Sequence, residues 1–139
     1  MIIEGLCPLL QVFDMAASVA FYRDMIGFTV VSMSAQNEAD SDWVMLKLGT
    51  STLMLNTAYE RRERPPMPDP LRVKVHRDTA LYFGCDDADQ VYAHLLAKGW
   101  TARPPVAKFY GMRQVYTMDP DGYELCFQHA AEASAESDR

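Results

Sequence analysis

Hydrophobic and polar residues follow the same order twice along the chain. In each copy a short apolar segment ends at an aspartate, an amphipathic segment follows, and a glycine closes it; the pairs are Asp14 with Gly27 and Asp87 with Gly99. Aspartate at this place caps the free N–H groups of a helix, and glycine accepts the left-handed conformation that ends one. The pattern therefore predicts an internal repeat of one strand, a helix and three further strands.

The repeat predicts an α+β protein with two main helices and eight strands. The helices are expected over residues 15–26 and 88–98. Apolar and β-branched segments of strand length supply the sheets. The strands are expected over residues 6–13, 28–35, 43–48, 52–56, 79–85, 100–103, 112–118 and 123–128.

A proline-rich segment separates the two copies. Four prolines between residues 59 and 78 argue against a regular helix, so we expect an irregular connection with at most an extended piece at 71–75. The whole chain is predicted to be a single domain. Its parts are module 1 (about 5–58), the connection (about 59–78), module 2 (about 79–129) and a disordered polar tail (130–139).

The last two strands form the most informative hairpin. Proline and glycine in Asp119–Gly122 are typical of a tight turn. The strand after the turn alternates, with Leu125 and Phe127 on one face and Glu124, Cys126 and Gln128 on the other. One face is therefore expected to be buried, and the other is available for function.

Composition narrows the classes of function. The 139-residue chain has a net charge of −6, which argues against a nucleic-acid partner and favours neutral or cationic ligands. No apolar run reaches the length of a membrane span and no signal peptide is recognised, so no membrane partner is expected. Three cysteines without CxxC spacing, Cys7, Cys85 and Cys126, indicate a reduced, cytoplasmic protein.

Motifs of common enzyme classes are missing from the sequence, including GxSxG, HExxH and a glycine-rich phosphate loop. A nucleophilic Cys126 would need a nearby base, and His129, three residues on, is expected to point to the opposite face. Three residues keep two interpretations each. Glu124 is a general base or part of a solvated strand start. Arg113 holds an anionic group of a ligand or pairs with an acidic residue across the ligand cleft. Trp43 stacks on a ligand or packs in the core or at a dimer interface.

Two segments carry a resemblance to a known family. They are LLQVFDMAASVAFYRDMIGF (Leu9–Phe28) and YGMRQVYTMDPDGYELCF (Tyr110–Phe127). In this order, on a repeated βαβββ pattern, they resemble the vicinal oxygen chelate superfamily of glyoxalases, bleomycin-resistance proteins, extradiol dioxygenases and fosfomycin-resistance enzymes. The resemblance implies two tandem βαβββ modules that form curved mixed sheets around a cleft, and it implies a homodimer.

Metal-dependent members of this superfamily bind their metal from the first and last strand of each module. The resemblance places those four positions at Cys7, Met54, Ala80 and Cys126. None of them is the imidazole or carboxylate that Zn, Ni, Mn or Fe prefers in this fold. We therefore expect no metal and no other cofactor. Binding of a soft metal such as Cu(I) by the sulfur groups is the alternative.

The chain resembles most the metal-free bleomycin-resistance branch, whose antibiotic-resistance proteins hold a ligand without changing it. The resemblance implies a protein that sequesters a largely apolar small molecule in the cleft and has no catalytic residue. The alternative is a superfamily enzyme, a lyase or a dioxygenase-like oxidoreductase, that uses a displaced metal site or none.

Ligand contacts are expected from strand positions that share a face with the implied metal positions, from the loop before the last hairpin, and from Arg113. The wall they form is rich in sulfur and aromatic groups, which suits a flat ligand oriented by a few hydrogen bonds. The predicted site consists of Cys7, Leu9, Trp43, Met45, Met54, Asn56, Tyr82, Phe109, Tyr110, Arg113, Cys126 and Gln128.

Overall fold

The computed structural model describes residues 1–59 and 63–131. The chain divides into two compact units, unit 1 over Met1–Pro68 and unit 2 over Asp69–Arg139, so the division falls inside the predicted connection. Each unit has its own four-stranded mixed sheet, which is open rather than closed into a barrel. The predicted fold class is therefore confirmed. No helix within the described residues is long and apolar enough to cross a membrane.

Unit 1 has the predicted order of one strand, a helix and three strands. Its helix continues from an α-helical into a π-helical segment. The elements are β1 (Leu9–Gln11), α1 (Met15–Ala20) with the π-helical segment Phe21–Ile26, β2 (Thr29–Met33), a 3₁₀ turn (Glu38–Asp40), β3 (Trp43–Leu48) and β4 (Ser51–Asn56).

The two predicted ends of the first helix are confirmed. Asp14 Oδ1 accepts a hydrogen bond from the N–H of Ala17 at 3.2 Å. Gly27 has φ of 105°, a left-handed conformation that side chains other than glycine rarely adopt. Its N–H donates to the carbonyl of Tyr22 at 3.0 Å, which closes the π-helical segment.

The sheet of unit 1 has the order β1-β4-β3-β2, with β1 parallel to β4 and the other pairs antiparallel. One face of this sheet and one side of α1 supply the core. Burying each such apolar side chain contributes about 1.5–3 kcal/mol. The buried residues include Leu10, Val19, Tyr22, Val44, Leu46, Leu53 and Leu55.

Unit 2 repeats this order after a short helical segment. Its sheet has the order β5-β8-β7-β6, with β5 parallel to β8. The elements are α2 (Pro70–Val75), a 3₁₀ turn (His76–Asp78), β5 (Ala80–Gly84), α3 (Ala88–Ala97), β6 (Val106–Ala107), β7 (Met112–Met118) and β8 (Glu124–Ala130).

The turn Asp119–Gly122 fixes the register of β7 against β8. Asp119 Oδ1 accepts from the N–H groups of Asp121 at 2.9 Å and Tyr123 at 3.0 Å. Gly122 has φ of 87°, and a Cβ at this position would lie 2.5 Å from the carbonyl oxygen of Val73. Glycine is therefore required here by conformation and by space. The turn sets Met118 opposite Glu124, so even-numbered residues of the two strands share one face.

Three expectations from the sequence differ from the structure. The connection contains a helix, α2, because Pro70 takes the first helical position, where no N–H bond is lost, and Asp69 caps the helix. Residues 100–103 make only an isolated bridge from Ala102 to Thr117, and β6 forms inside the predicted loop. The sheet continues to Ala130, inside the predicted tail, of which residues 132–139 lie outside the described residues.

Candidate ligand-binding site

The two faces of the unit 2 sheet carry different side chains. The odd-numbered face is turned towards α3, because Arg113 of β7 forms an ion pair with Asp89 of that helix at 2.7 Å. Val115, Leu125 and Phe127 on this face are buried. Even-numbered residues therefore lie on the opposite face, called the open face here.

A chain of hydrogen bonds, the tyrosine–glutamine network, runs across the open face through Tyr82, Tyr110, Gln114, Tyr116 and Gln128. The hydroxyl groups of Tyr110 and Tyr116 each donate to Gln114 Oε1 at 2.9 Å. Gln114 Nε2 donates to Gln128 Oε1 at 2.9 Å. The hydroxyl groups of Tyr82 and Tyr116 lie 3.3 Å apart. Gln114 is only 2% exposed, so it acts as the buried centre of the network.

Strand register explains why these residues meet. Gln114 pairs with Gln128, and Tyr116 pairs with Cys126. Tyr82 of the parallel strand β5 also pairs with Cys126, from its other side. The two tyrosine rings consequently flank the Cys126 thiol, with their centroids 6.5 Å apart in an edge-to-face arrangement.

The Tyr116 hydroxyl and the Cys126 thiol on this face are held in their neutral forms. Burial is the main cause that raises the pKa of Tyr116, and the hydrogen bond with Tyr82 adds to it. Burial also raises the pKa of Cys126, against the lowering effect of a hydrogen bond with Tyr116. A phenol and a thiol with raised pKa values contain little phenolate or thiolate near neutral pH. Both groups are therefore suited to hydrogen bonding rather than to nucleophilic attack.

A pocket of about 690 Å³ opens beside the network and shares Tyr116 with it. We call it the arginine pocket. This volume lies in the range of small-molecule sites, about 300–1,000 Å³. Its side chains include Arg77, Trp100, Arg103, Tyr116, Met118 and Glu124.

Arg103 is held in this pocket by three contacts. Its Nη2 donates to Glu124 Oε1 at 3.0 Å, and its guanidinium carbon lies 4.6 Å from the centroid of the Tyr116 ring. The backbone N–H of Arg103 also donates to the Tyr116 carbonyl at 3.0 Å. Trp100 is anchored separately, because its Nε1 donates to the Met118 carbonyl at 2.9 Å. The pocket thus has aromatic walls and a charged rim.

The structure brings four of the predicted site residues of unit 2 together. Tyr82, Cys126 and Gln128 lie on the open face, and Tyr110 reaches the network through its hydroxyl group. Phe109 lies next to Tyr110, with ring centroids 5.1 Å apart. Whether these residues contact a ligand stays a prediction.

The prediction that Arg113 lies on the same face as Tyr82, Cys126 and Gln128 is wrong. It occupies an odd-numbered position of β7, so its side chain lies on the helix-facing side and pairs with Asp89. The ion pair raises the pKa of Arg113, mainly through the hydrogen bond to that carboxylate. The sequence left open a contact with a ligand anion or an ion pair across the cleft; the structure instead has an ion pair with Asp89 on α3.

Five of the predicted site residues of unit 1 form two adjacent rows on its sheet, whereas the sixth, Cys7, lies before β1, which begins at Leu9. Leu9 and Met45 pair with Met54 from its two sides, and Trp43 pairs with Asn56. This face lies opposite to the buried leucines of β4. The predicted parity of these positions therefore agrees with the register, while their contact with a ligand stays a prediction.

Sequence reasoning missed Gln114, Tyr116 and Arg103. Gln114 and Tyr116 could have been predicted, because the turn Asp119–Gly122 sets even-numbered residues of β7 opposite Cys126 and Gln128. Once Cys126 and Gln128 are assigned to one face of β8, the same face of β7 must contain Gln114 and Tyr116. Arg103 had no such signal, because the segment around it forms no regular strand.

Comparison with known families agrees with this architecture. The family model described as the Glyoxalase/Bleomycin resistance protein/Dioxygenase superfamily matches residues 6–127. The chain belongs to this superfamily.

Solved structures of superfamily members and related proteins share the fold. A glyoxalase/bleomycin resistance protein/dioxygenase from Nocardioides is 19% identical over 100% of this chain and 92% of its own, with a TM-score of 0.70. The bleomycin resistance determinant encoded on transposon Tn5 is 21% identical over 92% and 98%, with a TM-score of 0.66. Lactoylglutathione lyase from Agrobacterium tumefaciens is 20% identical over 90% and 92%, with a TM-score of 0.64. A search of curated proteins found no match.

The residues present do not fit the metal of metal-dependent superfamily members. Cys126 is fully buried, and the residues that pair with it, Tyr82 and Tyr116, supply neither imidazole nor carboxylate. The Cys7 thiol is directed to the Pro8 carbonyl, 3.8 Å away, and Met54 and Ala80 carry no charge. Among residues 1–59 and 63–131, no three His, Cys, Asp or Glu side chains are grouped closely enough to hold a metal ion.

Proposed function

We propose that this superfamily member binds a small organic molecule on the open face of unit 2 and releases it unchanged, as a sequestering protein. The tyrosine–glutamine network is the observation that carries the proposal. It presents neutral hydrogen-bond donors and acceptors around a buried amide, Gln114, next to a pocket of about 690 Å³. Such a surface recognises the polar groups of a mostly apolar ligand.

The outer ends of the network are the groups that a ligand reaches. Tyr82 is 55% exposed and Tyr110 is 53% exposed, whereas Gln114 is 2% exposed. The single protons of both phenol groups are already donated within the network, that of Tyr110 to Gln114 and that of Tyr82 to Tyr116. A ligand hydroxyl or N–H group can therefore donate to the two phenol oxygens without breaking the buried bonds of Gln114. Each such hydrogen bond contributes about 0.5–1.5 kcal/mol net to the binding free energy. Removal of the apolar ring of the ligand from water contributes the larger part.

Release without reaction is supported by the chemistry of the same face. Tyr116 and Cys126 have raised pKa values, and Glu124, the possible general base, is paired with Arg103 at 3.0 Å. A general base has to be free to take a proton from the ligand. None of these three groups is therefore poised for acid–base or nucleophilic catalysis.

A thermal-shift screen of planar heteroaromatic compounds, with bleomycin included, tests the proposal. We expect at least one compound to raise the melting temperature, because a ligand that binds only the folded state stabilises it. The compound should be recovered chemically unchanged after denaturation of the protein. Conversion of a bound compound into product would favour the alternative, a superfamily enzyme.

We also propose that the protein is a cytoplasmic homodimer. The N-terminal segment supports association, because Ile2, Ile3 and Leu6 are each more than four-fifths exposed. Exposed apolar groups in one segment commonly mark an interface. Three free cysteines support a reducing compartment. Static light scattering should give twice the chain mass of 15.7 kDa, and the mass of one chain would contradict the dimer.

A further inference from the structure

The arginine pocket contains two arginines, Arg77 and Arg103, and two acidic residues, Asp119 and Glu124, in a protein whose net charge is −6. Arg77 lines it, and its side chain has no hydrogen bond or ion pair within the described residues. Asp119 also lines it, but its carboxylate accepts two N–H groups of the turn, and the residue is 4% exposed. Arg103 and Glu124 balance each other. The Asp119 carboxylate keeps its charge but is buried in the turn, so an anion entering the pocket can pair with the Arg77 side chain without breaking an ion pair among the described residues.

A flat surface lies beside this charge. The Arg103 guanidinium covers one face of the Tyr116 ring at 4.6 Å, and the Arg103 side chain is 69% exposed. The outer face of the guanidinium is consequently accessible to a second ring. A planar guanidinium stacks on aromatic rings, whereas an ammonium group offers no such plane.

We propose that the arginine pocket binds planar aromatic carboxylates, with the ring stacked on Arg103 and the carboxylate at Arg77. This inference rests on the proposed function, since it names the ligand class of the same open face. It reverses the preference for neutral or cationic ligands that the net charge suggests. The charges inside the pocket, rather than the net charge of the protein, determine which ligand charge is preferred, because salt screens exposed charges beyond about 8–10 Å.

Isothermal titration with three naphthalene compounds tests the inference. 2-Naphthoate, 2-naphthamide and 2-naphthylmethylammonium share a ring and differ in charge. We expect the carboxylate to bind at least about tenfold more tightly than the amide, because a charge-assisted hydrogen bond replaces a neutral one. The ammonium compound should bind more weakly than either.

Three variants separate the contribution of the charge contact at Arg77 from that of ring stacking on Arg103. R77Q should reduce the preference for 2-naphthoate over 2-naphthamide to about twofold or less, because the charge contact is lost. R103K keeps the charge and should weaken both compounds by about two- to fivefold, because stacking is lost. The matched control R72Q changes an exposed arginine of α2 outside the pocket and should leave all three affinities unchanged.

Several outcomes would overturn the inference. They are no binding of 2-naphthoate, equal binding of the amide or the ammonium compound, and an unchanged carboxylate preference in R77Q. If 2-naphthoate fails while a screened compound binds and is recovered intact, sequestration stands and the ligand class is wrong. If carboxylates bind as expected but are converted, the ligand class stands and sequestration is wrong.

Discussion

Replacing Gln114 with leucine is expected to lower the free energy of unfolding by about 1–3 kcal/mol and to weaken ligand binding on the open face by at least about tenfold. The Gln114 amide accepts from two tyrosine hydroxyl groups and donates to Gln128, all at 2.9 Å. Leucine fills a similar volume but leaves these three partners without their bonds. Urea unfolding followed by circular dichroism measures the first effect, and titration of a bound compound measures the second.

The control for this change is Q90L, on the exposed side of α3, which should alter the unfolding free energy by less than about 0.5 kcal/mol. A double-mutant cycle with Y116F adds a sharper test. Because the two residues share one hydrogen bond at 2.9 Å, their effects should be non-additive by about 0.5–3 kcal/mol. If Q114L behaves like Q90L, or if the cycle is additive, Gln114 is not the centre of the network.

Cys126 is expected to react with iodoacetamide at least about a hundredfold more slowly in the native protein than in denaturant, because exposing a core group costs several kcal/mol. The residue is 0% exposed, and burial raises the pKa of its thiol. The measurement uses a variant with C7S and C85S, so that Cys126 is the single thiol. Mass spectrometry then gives the labelled fraction over time.

Ionisation of the Cys126 thiol makes the free energy of unfolding depend on pH in a defined direction. Its folded pKa is raised above the ordinary value of 9.0, so its contribution to stability is complete below pH 9.0 and is lost as the pH rises through the folded value. The unfolding free energy should therefore fall in alkaline solution, and less steeply in C126A. Rapid labelling at neutral pH would contradict a buried neutral thiol and would revive nucleophilic or metal-binding roles for it.

The repeated pattern of aspartate, helix and glycine predicted the fold, because caps and glycine turns act locally. Asp14, Gly27 and Gly99 behave as their positions in the sequence indicate. The helix α2 escaped prediction because proline at a first helical position looks in sequence like proline that breaks a helix. Residues 100–103 escaped because their single bridge depends on β7, which is distant in sequence.

The candidate site could be predicted only where the alternation of side chains along a strand assigns residues to one face of the sheet. Alternation assigned Tyr82, Cys126 and Gln128 to one face, and register confirms it. Arg113 was misplaced because its charge, rather than its odd-numbered position, was given the greater weight. Arg103 contacts Glu124 and Tyr116 from a segment without regular secondary structure. No local sequence pattern therefore predicts the pocket.

A mass balance of a bound compound tests sequestration most directly. The purified protein is incubated with a molar excess of the tightest-binding screened compound, with and without added Zn²⁺, Ni²⁺, Mn²⁺ and Fe²⁺, and then denatured. Liquid chromatography with mass spectrometry quantifies the compound and any product. Sequestration predicts complete recovery of the unchanged compound under every condition. Product in molar excess over the protein, with or without added metal, would contradict it.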